Sequence, residues 1–212
     1  MRVLAALLLA ATMSSPRAPS APVIGYVGCS NTSQSVAGAW ANGFTQFWPG
    51  MRYGGGTIQT WAAGQKWSDF DTALRRYPTT TFWFQLCEVY RDHISGADSL
   101  AKAITVINDI RARAPAATIY VSAVNDYVAP HVSPKLGPDG PQNMRDAAAS
   151  LVAAGYALAG PDMGSLLSIY QVPSAGATRE NNETEIDGTH PNVTLGQPHL
   201  GRRLAEFFGA LP

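Results

Sequence analysis

The stretch VIGYVGCSNTSQS, residues 23–35, decides how the rest of the chain is read. An apolar run stops at Gly28-Cys29-Ser30-Asn31-Thr32, after which Val36 and Trp40 recur at helical spacing. A strand that hands its chain to a turn and then to a helix is the opening unit of an α/β fold. Here the turn carries two adjacent candidate nucleophiles, Cys29 and Ser30.

The same alternation continues outward. Strand-like runs rich in Val, Ile, Tyr, Phe and Trp lie at Pro22–Val27, Thr80–Leu86, Thr118–Val124 and Leu166–Tyr170, with a shorter candidate at Met51–Tyr53. Between them, Val36/Trp40/Phe44/Phe47, Leu100/Ile104/Ile107/Ile110, Met144/Ala148/Leu151/Gly155/Leu158 and Leu200/Leu204/Phe207/Phe208 mark four amphipathic helices. Strands alternating with helices predict right-handed crossovers and a parallel sheet covered on both faces, with functional groups beyond the strands' carboxyl ends. The Pro/Gly-rich segments Asp126–Pro141 and Val172–Gly188 read as surface loops within one domain, residues 22–212.

Composition narrows the partners. The 212 residues are 46% hydrophobic, and 15 Lys+Arg balance 15 Asp+Glu, so nothing points to nucleic acid or an anionic membrane. A small or neutral partner fits, and a monomer is expected. Arg2 followed by the apolar run Val3–Ala11, too short to span a bilayer, reads as a signal peptide. Its processing region extends to residue 21, with Ala18 and Ser20 placed for cleavage. Export without stable membrane insertion, to a secreted or extracytoplasmic location, implies an oxidising compartment in which the two cysteines can pair.

A serine hydroxyl needs a base, and the base needs an orienting partner. Ser30 sits where a helix begins, which favours developing negative charge. Near the other end, EIDGTHPN (185–192) places Asp187 three residues before His190 in a turn-forming sequence. That spacing lets the carboxylate hold Nδ1 and leaves Nε2 for a nucleophile.

Together, GCSNT and DGTHP resemble the first and last signature blocks of the SGNH hydrolases, the superfamily of GDSL esterases and lipases, in block order and spacing across residues 23–210. The resemblance implies a three-layer α/β/α sandwich with a flavodoxin-like parallel sheet. It implies hydrolysis of carboxylic esters (small acyl, lipid or O-acetyl-sugar) with Ser30 as nucleophile, His190 as base and Asp187 as its orienting acid. The Ser30 N–H would be one oxyanion donor. In RYGGGTIQTW, Gly55 or Gly56 would give a second, in a run of glycines beginning at Gly54.

Two blocks diverge. The family's Gly-Asp-Ser is Gly28-Cys29-Ser30 here, and its Gly-x-Asn-Asp becomes Gln85-Leu86-Cys87-Glu88, so the asparagine donor is missing. Gln85 and Asn125 are the candidate substitutes; loss of one donor costs about 10²–10³ in rate. Because the implied sheet makes the two strands neighbours, Cys29 and Cys87 are expected to form a disulfide, the alternatives being buried free thiols or a Cys29 nucleophile.

The remaining histidines, His93, His131 and His199, lack metal-type spacing and are expected to be single exposed side chains. No metal or cofactor is called for. Most tryptophans are core candidates, while Trp61 and Trp67, in a loop-like region after the glycines, are candidates for stacking on a ligand. Two alternatives to the esterase stand beside it. One is an SGNH-fold protein that binds a carbohydrate or lipid with weak or no turnover. The other is a flavodoxin-like cofactor carrier, which would leave the Asp187–His190 pair without a role.

Overall fold

The computed structural model describes residues 23–50, 55–89 and 96–211. The expected signal region, the Met51–Tyr53 strand, Gly54 and His93 lie outside these residues. Four parallel strands form the central sheet in the order β1-β2-β3-β5, namely Ile24–Val27, Thr81–Leu86, Thr118–Ala123 and Leu158–Ala159. Phe47 adds a parallel bridge to Ile24 on the outer edge of β1, so chain leaves β1 for one edge and returns to build the other. A second, two-stranded sheet pairs β4 (Asp126–Tyr127) with β6 (Ser165–Leu166).

Both faces of the main sheet are covered, which is why β1 and most of β2 read as continuous apolar runs. Tyr26, Trp83 and Tyr120 stand in register across β1, β2 and β3. Their face meets Phe47 and helix α6 (Gly196–Gly209): Phe208 packs edge-on against Phe47 and Tyr120. The alternate residue Phe82 faces the other way, onto Trp48 and Phe70. Phe70 belongs to α3 (Trp67–Arg76), which follows the short α2 (Ile58–Ala62). Helix α1 (Ser30–Ala41) packs on α6, and α4 (Gly96–Arg113) on α5 (Gly140–Ala153).

Helices α1 and α6 touch backbone to backbone. A Cβ on Gly38 would stand 1.8 Å from the Gln197 carbonyl oxygen, and one on Gly201 would stand 2.1 Å from the Gly38 carbonyl carbon. Only glycine at both positions permits this approach.

Three expectations are corrected. Leu166–Tyr170 is not a strand beyond Leu166, because side chains take the backbone donors that a ladder would use. Ile169 N–H donates to Asn182 Oδ1 (3.1 Å) and Tyr170 N–H to Ser168 Oγ (3.3 Å). The helix expected to run to Leu158 stops at Ala153; Gly155 turns with φ +72°, and Leu158 instead starts the edge strand. Phe44 and Phe47 lie past the end of α1, in the segment that returns to β1.

Candidate active site

The carboxyl ends of β1, β2 and β3 converge on the turn 28–32. Gly28 has φ +156°, and a Cβ there would lie 2.1 Å from Thr32 Oγ1 and 2.9 Å from the Gln85 carbonyl oxygen. Its own carbonyl accepts two donors, Trp61 Nε1 (3.1 Å) and Gly56 N (3.2 Å). Cys29 caps α1: Thr32 Oγ1 accepts from Cys29 N (2.9 Å) and donates to Gln85 Oε1 (2.7 Å). Ser30 is then the first residue of the helix, where backbone N–H groups have no carbonyl ahead of them.

Cys29 and Cys87 form a disulfide, with Cα atoms 5.9 Å apart, across the ends of β1 and β2. The thiol-nucleophile alternative is thereby overturned, since a bridged sulfur carries no thiolate.

Ser30 Oγ lies 2.6 Å from His190 Nε2. His190 Nδ1 lies 2.6 Å from Asp187 Oδ2, while Asp187 Oδ1 accepts from the backbone N–H groups of Thr189 and His190, each at 3.0 Å. Partial burial works against the Asp187 carboxylate, but the backbone and ring of His190, Lys135 and the Thr189 N–H outweigh it. They hold the group well below the usual carboxylate range. The pair is local in sequence, whereas Ser30 lies 160 positions from His190.

Several residues outside the sequence reading fasten this loop. Tyr127 OH donates to the Thr189 carbonyl, and burial pushes that phenol up to about 12. Ser133 Oγ and Thr189 Oγ1 are 2.8 Å apart. Asn31 Nδ2 donates to Asn125 Oδ1 (2.9 Å) and the Thr189 carbonyl (3.4 Å), joining α1 to the end of β3 and to the histidine loop. Lys135 Nζ stands 3.0 Å from Asp187 Oδ2 and 3.5 Å from His190 Nδ1. Lys135 comes from a Pro-rich loop more than 50 positions before Asp187, and no local pattern could have paired them.

The four oxyanion candidates besides Ser30 are placed differently. Gly55 is exposed, with φ +96° and open space where a side chain would be. Gly56 N–H is engaged with Gly28, as above. Gln85 is fully buried; its Oε1 serves Thr32, and its Nε2 has no partner and no contact with solvent. Asn125 is 1% exposed, with its oxygen on Asn31 and its amide directed at the Asp126 carbonyl at 3.4 Å.

His131 and His199 are not exposed, as expected from sequence, but partnered. The two nitrogens of buried His131 face the carbonyl oxygens of Val172 (2.9 Å) and Gly188 (2.7 Å). His199 Nδ1 lies 2.6 Å from Glu183 Oε1. Trp61 and Trp67 are core residues of α2 and α3 packed edge to face, so neither offers a stacking surface. The period Trp67/Phe70/Ala73 was the available signal for that helix. A separate cavity of about 450 Å³, lined partly by Asp126, Arg145 and Asp162, opens near the β3–β5 end and includes neither Ser30 nor His190.

Two solved structures share this architecture. A carbohydrate esterase family 3 protein from Talaromyces cellulolyticus superposes with a TM-score of 0.55 at 13% identity, covering 87% of this chain and 95% of that one. The psychrotrophic esterase EstA from Pseudoalteromonas sp., solved with monoethylphosphonate as inhibitor, gives 0.55 at 12% identity, covering 88% and 96%. The chain has their fold. No protein-family model and no curated protein sequence matches it.

Proposed function

We propose that the protein is a serine ester hydrolase of the SGNH type, acting outside the cytoplasm on small acyl, lipid or O-acetyl-sugar esters. The observation that carries this reading is the unbroken relay from Ser30 Oγ through His190 to Asp187, with 2.6 Å at each step. Ser30 Oγ attacks the ester carbonyl carbon as its proton passes to His190 Nε2. The N–H groups of Ser30 and Gly55 take the oxyanion. Collapse breaks the bond to the alcohol, which leaves with the proton from Nε2, and water then hydrolyses the acyl-Ser30 by the same path in reverse.

Gln85 and Asn125 are braces in this reading: an oxyanion pocket must admit a substrate atom, and both amides are sealed from solvent. Apolar side chains flank the histidine loop, with Ile186 80% and Val193 71% exposed, which suits an acyl substituent. The likeness of fold to two esterases supports the reaction class. The disulfide and the export-type start of the chain support an oxidising location.

One observation favours a second reading, a ligand-binding protein with little turnover: Cys87 is bridged where the resembled family places its asparagine donor. Hydrolysis of short p-nitrophenyl esters and acetylated sugars by the wild type and S30A separates the two. Turnover abolished in S30A supports the hydrolase, and equal, negligible turnover over the whole panel overturns it.

A further inference from the structure

The Ser30–His190–Asp187 relay carries an extra cation. Lys135 Nζ shares Asp187 Oδ2 with the imidazole and stands 3.5 Å from Nδ1, the nitrogen that already donates to that oxygen. The geometry points to Lys135 as a positioning residue that acts through Asp187 and His190, weakening His190 as a base and strengthening the imidazolium as a proton donor. This rests on the hydrolase reading above.

The physical argument is a competition at one oxygen. In a relay without the lysine, the whole Asp187 charge at Oδ2 favours the imidazolium that forms when Ser30 attacks. An ammonium on the same oxygen offsets part of that charge, and it repels a positive ring across 3.5 Å. His190 therefore gives up its proton more readily, which hinders the first transfer and helps delivery to the leaving alkoxide. The contacts of Lys135 Nζ run to Asp187 Oδ2 and His190 Nδ1, so its effect is carried by charge and by the orientation of the carboxylate.

The other ionisable groups around the loop do not duplicate this role. Tyr127 and His131 meet it through the Thr189 and Gly188 carbonyls. Glu183, His199 and Arg203 are bonded among themselves beside α6. Arg145 is paired with Asp126. Glu185 lies in the loop itself, two residues before Asp187. All of these are unchanged when Lys135 alone is replaced.

The test compares wild type, K135M and K135R, each checked by thermal melting; the side chain is 51% exposed, so removing it leaves no cavity. Two readouts are taken at low and high ionic strength. One is the pH profile of kcat/KM on p-nitrophenyl acetate. The other is the NMR titration of the His190 ring, assigned with H190Q. In K135M, the acid limb and the ring titration are both expected to move to higher pH by about half a unit or more at low salt, less at high salt, with K135R close to wild type. Ring titrations that coincide in wild type and K135M overturn the proposal, whether or not the protein turns over ester. A displaced ring titration in a protein that hydrolyses nothing upholds the coupling and overturns the hydrolase reading instead.

Discussion

A Cβ on Gly201 of α6 would lie 2.1 Å from the carbonyl carbon of Gly38 in α1. Since α1 starts at Ser30 and α6 follows His190, this contact between two glycines sets the spacing of Ser30 and His190. The colliding atoms are backbone, which cannot rotate away. G201A is expected to cost about 1–3 kcal/mol or more, as overpacking does. It should also lower kcat beyond the loss of folded protein, because the helices must separate. Urea unfolding alongside kcat per folded molecule checks both.

Asp187 is expected to matter twice. In D187N the amide no longer orients and stabilises the imidazolium, so kcat should fall about 10³–10⁴-fold. Its depressed native pKa also links the loop to acid stability. The stabilising contribution is present above the unfolded value of about 3.9 and is lost as pH falls from there through the native value. Wild type should therefore lose more stability than D187N on acidification, measured by melts at neutral pH and near pH 2.

Tyr127 predicts an alkaline counterpart with the opposite sign. The unfolded chain releases a tyrosine proton near pH 10, whereas native Tyr127 keeps it to about 12. Stability attributable to this phenol is intact below about pH 10 and is lost as pH rises through that window. Y127F should lack this component while losing the bond to the Thr189 carbonyl at every pH. Denaturant midpoints on either side of about pH 10 distinguish the two effects.

Gln85 offers a test of the oxyanion assignment. With Oε1 bonded to Thr32 and Nε2 sealed, Q85L should destabilise the fold by about 1–3 kcal/mol and leave kcat per folded molecule within severalfold of wild type. A selective fall in kcat of about 10²-fold without loss of stability would instead make Gln85 an oxyanion donor.

The Cys29–Cys87 bridge closes a sequence separation of 58 residues next to Ser30. Replacing both cysteines by serine should cost about 2–4 kcal/mol and loosen the Ser30 turn. The measurement is chemical denaturation of the double variant, together with kcat at a temperature where both proteins are folded.

Sequence was most informative where periodicity and local chemistry agree. Residues of β1 and most of β2 are apolar on both faces and bounded by turn residues, and the Asp187–His190 pair lies within one turn. The edge strand Leu158–Ala159 is two residues long and exposed, too short to carry a period, and it merges with the helical pattern before it. Trp61 and Trp67 follow the glycine run and read from sequence as loop-like, and Gly64, with φ +81°, separates the two short helices that hold them. His131 and Lys135 meet their partners only in three dimensions. A buried histidine with carbonyls on both nitrogens leaves no trace in its neighbours along the chain.

The 160 positions between Ser30 and His190 have a consequence for the order in which the chain is made. The ribosome delivers Ser30 directly after β1 and His190 only after β6, just ahead of α6. A nascent chain that has already paired β1, β2 and β3 still holds a serine with nothing to take its proton. The Ser30–His190 contact thus forms only after the strands of both sheets have been made, so the order of synthesis keeps the hydroxyl and the imidazole apart until the segment before α6 emerges.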